Sequence, residues 1–202
     1  MTQADFSPAA ERNKQPIRDV LQLLLPERGK ALEIASGTGQ HVAWFAAGLP
    51  DWSWQPSDAG PDGLGSIAAW AQQLGLSNVR PPLLLDVMAE HWLPDDTLFD
   101  VIYCANMLHI SPWATCAALM RGSARHLAPG GMLITYGPYL EDEVPTSAGN
   151  LVFDQSLRAQ NPAWGIRRRE DVELEAAQAG LRLSARHAMP ANNLLLVWTR
   201  AA

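Results

Sequence analysis

Apolar positions along this chain switch between two periods, and the switching predicts strands and helices in alternation. Pro16 opens a predicted helix through Ile17, Val20, Leu21, Leu24 and Leu25, and Pro26 closes it. Residues 31–34 read as a short buried strand. A helix over 40–47 places Val42, Phe45 and Ala46 on one face. A strand at 52–56 follows, then a helix at 63–74 with Leu64, Ile67, Ala71 and Leu74 at helical spacing. Leu83-Leu84-Leu85 is fully apolar and is expected to be a central strand. A fourth strand is expected at 99–104. Ser111-Pro112 predicts an N-cap and first helical position, and that helix stops before Pro129-Gly130-Gly131. A fifth strand falls at 132–136. Residues 137–165, rich in Pro, Gly and Asn, read as a long irregular lid or binding loop. A helix at 169–179 stops at Gly180, and strands at 181–187 and 194–199 close the chain.

The alternation implies an α/β fold with a Rossmann-like, doubly wound, mostly parallel sheet of seven strands. The connection at 188–193 is too short for a parallel crossover, so the last two strands pair antiparallel. That ending is the plan of class I methyltransferases rather than of ordinary nicotinamide-binding domains.

The turn Glu33-Ile34-Ala35-Ser36-Gly37-Thr38-Gly39-Gln40 lets a ligand approach the backbone at the end of a buried parallel strand. A dinucleotide would set a pyrophosphate at the following helix N-terminus. The carboxylate of Glu33 suits a cationic amino group better, and S-adenosylmethionine (SAM) carries an ammonium and a sulfonium without phosphate. Ala35, where many methyltransferases have a glycine, fits if its φ stays negative. Asp58 lies about 20 residues after the turn, where a carboxylate takes ribose hydroxyls. Asp86 is placed to accept from an adenine amine. The expected cofactor set is Glu33, Ala35, Ser36, Gly37, Gln40, Asp58, Asp86, Val87, Asn106 and Met107.

Composition narrows the partners. The chain has 202 residues, 48% hydrophobic and 18% charged, which fits one domain over 1–202 with a full core. A net charge of -6 gives no footprint for nucleic acid or an anionic membrane. Arg167-Arg168-Arg169 precedes Glu170 and Asp171 and reads as a solvated helix start. The two cysteines, Cys104 and Cys116, are read as free thiols of a cytoplasmic protein. No zinc spacing, signal peptide or membrane-spanning run is expected.

Several segments resemble the methyltransferase-like twenty-six family: Ser7-Pro8-Ala9-Ala10-Glu11-Arg12-Asn13-Lys14, residues 32–41, Trp54-Gln55-Pro56-Ser57-Asp58 and Asn106-Met107-Leu108-His109-Ile110-Ser111-Pro112-Trp113. Tyr136-Gly137-Pro138-Tyr139, Asn161-Pro162-Ala163-Trp164-Gly165-Ile166-Arg167 and Met189-Pro190-Ala191-Asn192-Asn193 continue the match in order. The resemblance implies a SAM-dependent class I enzyme and leaves the acceptor open. The chain departs from the family pattern at Ala148-Gly149, where Pro-Ser is usual before Asn150. It departs again at Arg168, where an aspartate is usual beside Arg167.

The expected activity is methyl transfer to a small molecule, releasing S-adenosylhomocysteine. His109 is the candidate general base. Tyr136, Tyr139, Asn192 and Asn193 are placed in the acceptor pocket, with Trp113 and Trp164 at its mouth and Arg12 and Asn13 as a lid. Asn192-Asn193 equally fits a plain hairpin turn, and Trp44, Trp70 and Trp198 fit the core. A non-catalytic SAM-binding module is the alternative of a different class. A nicotinamide-dependent reductase is disfavoured by Glu33 and the closing hairpin.

Overall fold

The computed structural model describes residues 3–201. Helix α1 (Pro8–Leu24) leads into β1 (Gly29–Ile34), α2 (Gln40–Gly48), β2 (Trp52–Asp58), α3 (Pro61–Gln73) and β3 (Leu83–Leu84). Strand β4 (Phe99–Ala105) is followed by a 3-10 turn at Leu108–Ile110, α4 (Ala114–His126) and β5 (Leu127–Leu140). Helix α5 (Ala148–Gln160), β6 (Arg167–Arg168), α6 (Arg169–Gln178), β7 (Leu181–Met189) and β8 (Asn193–Arg200) complete the chain. The sheet runs β3-β2-β1-β4-β5-β8-β7, with the two-residue β6 beside β5. Strands β1 to β6 pair parallel, and β8 runs antiparallel to both β5 and β7. The expected α/β fold, mostly parallel with an antiparallel closing strand, is present. The strand order reverses between β1 and β4, which opens a crevice at their carboxyl ends.

Strand alternation divides the core into two layers. Ile17, Leu21, Phe45, Trp54, Tyr103 and Leu195 pack under α1 and α2 on one face. Leu32, Ile102, Leu119, Leu133, Val172 and Trp198 pack under α4 and α6 on the other. Each buried side chain of this size is worth about 1.5–3 kcal/mol relative to exposure.

The structure corrects five expectations. Helix α1 begins at Pro8, not Pro16, because the Ser7 hydroxyl caps it by accepting from the Ala10 amide at 3.3 Å. Pro16 therefore stands mid-helix, and having no N–H it leaves the Arg12 carbonyl without its intrahelical donor. The Leu83-Leu84-Leu85 strand is an edge strand, with Leu84 63% exposed. Ser111 does not cap α4. Its hydroxyl donates to the Met107 carbonyl at 2.8 Å, and α4 starts at Ala114. The stretch 137–165 is not an irregular loop: β5 runs on to Leu140, and α5 is capped by Ser147, which accepts from the Asn150 amide at 3.2 Å. That serine supplies the cap although Ala148-Gly149 replaces the usual Pro-Ser.

The Arg167-Arg168-Arg169 run is the fifth correction, being paired rather than solvated. Arg167 donates to the carbonyls of Leu108 (2.9 Å), Ser111 (2.6 Å) and Ala163 (2.8 Å). It thereby holds the 3-10 turn without the missing neighbouring acid. Arg168 pairs with Asp142 and Asp171, and Arg169 with Glu141, Glu170 and Glu173.

Candidate functional site

A cavity of about 860 Å³ occupies the crevice at the carboxyl ends of β1, β4 and β5. Its floor is the turn Ala35-Ser36-Gly37-Thr38, its roof is the α1 face bearing Ala9, Arg12, Asn13 and Pro16, and His41 closes one side. Asn106, His109 and Ile110 come from the end of β4 and the turn after it. Tyr136 and Pro138 come from β5, Asn150 and Phe153 from α5, and Pro190, Ala191 and Asn193 from the β7–β8 connection.

The floor is built for close approach. Gly37 has φ +56°, with nothing within 4 Å of where a Cβ would stand, so the backbone is open to a ligand. Gly39 has φ +85°, and a Cβ there would meet the Ile67 backbone at 2.7 Å, so α3 packs directly on the turn. Ala35 has φ +54°, contrary to the expected negative value. A non-glycine residue in this region is strained by about 1–2 kcal/mol. Among the described residues the non-glycine positions with positive φ are Ala35, Asn106, Ala191 and Asn192, and three of these four line the cavity.

Glu33 lies behind the turn, 2% exposed, with its Oε2 buried and without a hydrogen-bond partner. Burial pushes its carboxyl up to about 8, a hydrogen bond with Ser36 opposes this, and Asp58 adds to it. Asp58 braces the turn: its Oδ2 accepts from the Gly37 amide at 2.9 Å and its Oδ1 from the Gly60 amide at 3.0 Å. Gln40 is buried and accepts from the Ser7 amide, which ties α1 to α2. Asp86, exposed after β3, accepts from the Met88 amide at 2.9 Å, while Val87 and Met107 pack into the α4 side of the core. Glu33, Gln40, Asp58, Asp86, Val87 and Met107 lie outside the cavity lining, whereas Ala35, Ser36, Gly37 and Asn106 lie within it.

The acceptor-side residues are partly gathered. His109 is 5% exposed and meets the Phe153 ring edge-on at 5.5 Å. Burial and the nearby Arg167 guanidinium lower its imidazole to about 4, so it is neutral at pH 7. His41 is likewise lowered to about 4, chiefly by burial, and its Nε2 lies 2.6 Å from the Asn13 Oδ1. Burial pushes the Tyr136 hydroxyl above the usual tyrosine range, and hydrogen bonding with Asn13 and Asn193 opposes the shift. Arg12, Asn13, His109, Tyr136 and Asn193 all line the cavity.

Four others do not. The Tyr139 hydroxyl donates to the Thr135 Oγ1 at 2.9 Å inside the opposite core layer. Trp113 lines a separate surface hollow with Arg167. Trp164 sits half-buried in the turn after α5, outside the lining. Asn192 fastens α5 to the hairpin, its Oδ1 accepting from the Ser147 amide at 3.0 Å and its carbonyl from the Asn150 Nδ2 at 3.0 Å.

Sequence reasoning missed His41, Asn150 and Phe153. His41 was findable, since the first helical turn after a glycine loop faces the ligand. The α5 residues were hidden by the Gly- and Pro-rich flanks. Among the described residues no group of His, Cys, Asp and Glu could hold a metal ion, and no helix is long and apolar enough to cross a membrane.

The fold is shared with solved methyltransferase structures. An O-methyltransferase family protein from Burkholderia thailandensis superposes with a TM-score of 0.78 at 19% identity, covering 96% of this chain and 58% of that one. An O-methyltransferase family 2 protein from Planctomyces limnophilus, solved in complex with apigenin, gives 0.78 at 18% over 96% and 60%. CalO1, a methyltransferase of calicheamicin biosynthesis in its S-adenosylhomocysteine-bound form, gives 0.74 at 14% over 95% and 56%. The present chain therefore spans less than two thirds of these proteins. Over residues 4–200 it matches the model of a family described as protein of unknown function (DUF938), and it belongs to that family.

Proposed function

We propose that this protein is a SAM-dependent methyltransferase acting on a small-molecule acceptor, in keeping with its resemblance to the methyltransferase-like twenty-six family. The observation that carries the reading is the Glu33 carboxylate, buried beside the open glycine turn with one oxygen unpartnered. A buried carboxylate without a partner is unfavourable, and a cationic ligand group relieves it. A dinucleotide pyrophosphate would worsen it, which disfavours a reductase. The shared fold, and the S-adenosylhomocysteine seen in one structural neighbour, support the same cofactor.

Ala35, Ser36, Gly37 and Asn106 line the cavity, and the unpartnered Glu33 carboxyl behind the turn suits a cationic group. Glu33 and the Arg12 carbonyl, left without its helical donor by Pro16, would hold the ammonium, and the turn 35–37 would hold the methionine portion. Asp58 keeps free lone pairs for ribose hydroxyls beyond the two it uses on Gly37 and Gly60. Asp86, Val87, Asn106 and Met107 would surround the base. SAM would supply an electrophilic methyl carbon on a sulfonium. The chain's task is then alignment and exclusion of water: α1 roofs the cavity, and Tyr136, His109 and Asn193 hold the acceptor. The neutral His109 offers a hydrogen bond and is a weak base.

Calorimetric titration with S-adenosylhomocysteine, NAD and NADP tests the reading, followed by transfer of labelled methyl from SAM. Binding of the homocysteine form alone supports it, and selective binding of a nicotinamide cofactor overturns it. Tight cofactor binding with no transfer to any acceptor fraction would favour the non-catalytic module.

A further inference from the structure

We infer that the acceptor is a small carboxylic acid with an apolar body, drawn in by Arg12, and that its carboxylate oxygen is the atom methylated. The inference rests on the transfer reading above.

The cavity lining contains no aspartate or glutamate. Arg12 is its one permanently charged side chain, and among the described residues it has no ion pair and no side-chain hydrogen bond. Several other arginines are also without an ion pair among the described residues, and what distinguishes Arg12 is that it alone stands in the lining of this cavity. A cation in a cavity lining that holds no acid makes the local field positive in a protein of net charge -6. The lining also carries apolar groups: Ile110, 46% exposed, Phe153, 39% exposed, Pro138 and Pro190.

Charge and proton balance then separate the acceptor classes. The cofactor's own carboxylate is balanced by its ammonium, so its sulfonium adds a net positive charge to that of Arg12, and the lining offers the acceptor no acid. An ammonium-bearing acceptor is repelled by both. An alcohol must lose a proton, and His41 and His109 are both weak bases here, lowered to about 4 by burial. A carboxylate is attracted by both charges and arrives already ionised at neutral pH. Its oxygen forms the bond to the methyl carbon, the carbon–sulfur bond breaks, and the electron pair stays on sulfur. The products are a methyl ester and a neutral thioether, and no proton is released. An alcohol acceptor would release one.

The experiment measures binding to the whole protein, with and without S-adenosylhomocysteine, of benzoate, phenylacetate and octanoate. Benzamide, phenol and benzylamine serve as matched neutral and cationic probes. Arg12→Gln and Arg12→Lys are measured in parallel, with ester formation and proton release followed in lightly buffered SAM assays. The expected result is preferential binding of at least one carboxylate, weakened about tenfold or more by Arg12→Gln and partly restored by Arg12→Lys. Ester should form without net proton release. Equal or better binding of phenol or benzylamine, or carboxylate binding indifferent to Arg12→Gln, overturns the inference while leaving the methyltransferase reading intact. Failure of S-adenosylhomocysteine to bind removes the transfer reading and the ester step with it. Arg12-dependent carboxylate binding would then survive as ligand recognition alone.

Discussion

Replacing Glu33 by glutamine keeps the shape of the side chain and removes its charge, so it isolates the cost and the use of a buried acid. With its carboxyl raised from 4.5 to about 8, the folded protein holds this proton over a pH range where the unfolded chain has lost it. Stability therefore falls as pH rises from about 4.5 to about 8 and is flat above. The full effect is on the order of 5 kcal/mol. Glu33→Gln should leave stability nearly unchanged at pH 4.5 and raise it by several kcal/mol at pH 8.5. That corresponds to a gain on the order of 10 °C in Tm for a chain of this size.

The same proton governs cofactor binding with the opposite sense. An ammonium is attracted only by the ionised carboxylate, which is about 1% populated at pH 6 and about 10% at pH 7. Affinity for S-adenosylhomocysteine should rise about tenfold between these values, with release of close to one proton per ligand bound. Calorimetry in buffers of different ionisation enthalpy measures both. In Glu33→Gln the affinity should be weaker and the slope with pH absent. A flat wild-type profile between pH 6 and 7, or an equal slope in the variant, would refute the assignment of Glu33 to the cationic group.

Three further outcomes are expected. Asp58→Ala removes the acceptor of the Gly37 and Gly60 amides, so S-adenosylhomocysteine affinity should fall tenfold or more while Tm drops only by several degrees; unchanged affinity by calorimetry would contradict the site. His109→Ala should leave cofactor affinity within about twofold, since the ring stands on the Phe153 side of the cavity. In the wild type the transfer rate should show no inflection near pH 6.5, because the imidazole is lowered to about 4; a clear inflection there would contradict its buried, neutral state. Ala35→Gly relieves the φ of +54° and should raise or preserve stability, by up to about 1 kcal/mol after the entropy of glycine is set against it. Chemical denaturation that shows a loss would mean the alanine methyl makes packing contacts worth more than the strain.

The glycine turn was legible because its signal is local: a small-residue cluster between a strand and a helix needs no tertiary context. The α5 wall was not, because Leu151, Val152 and Phe153 are contiguous, so helical spacing does not set the segment apart from a loop. They also remain exposed in the fold. The Leu83-Leu84-Leu85 run looked central because apolarity was taken as burial on both faces, yet Leu84 points to solvent at the sheet edge. The pair Tyr136 and Tyr139 is instructive. They lie three apart on β5, an odd spacing, so a strand must send them to opposite faces. Tyr136 accordingly joins the cavity-side layer and Tyr139 the other. That separation was present in the sequence once β5 was extended past Gly137, which the Gly-Pro step concealed.

Backbone strain is what no pattern of residue types could reveal, and it bears most directly on function. Ala35 follows β1, Asn106 follows β4, and Ala191 lies between β7 and β8, so three separate chain segments each bring a positive-φ residue to one cavity. Asparagine tolerates this conformation, and alanine does so at a cost. Strain of this kind persists where surrounding contacts over-determine it. The contacts here are the Gly37–Asp58 bond under the floor, the Asn106 amide donating to the Tyr136 carbonyl at 2.8 Å, and the Asn150–Asn192 bond behind the hairpin. Each clamp joins two elements that meet at the cavity, so the lining is held in place before any ligand arrives. A site whose chemistry is alignment rather than proton transfer needs that rigidity. On the proposed reading, the same clamps give Asp58 and Asn192, which hold the lining from behind, a part in the function of the site.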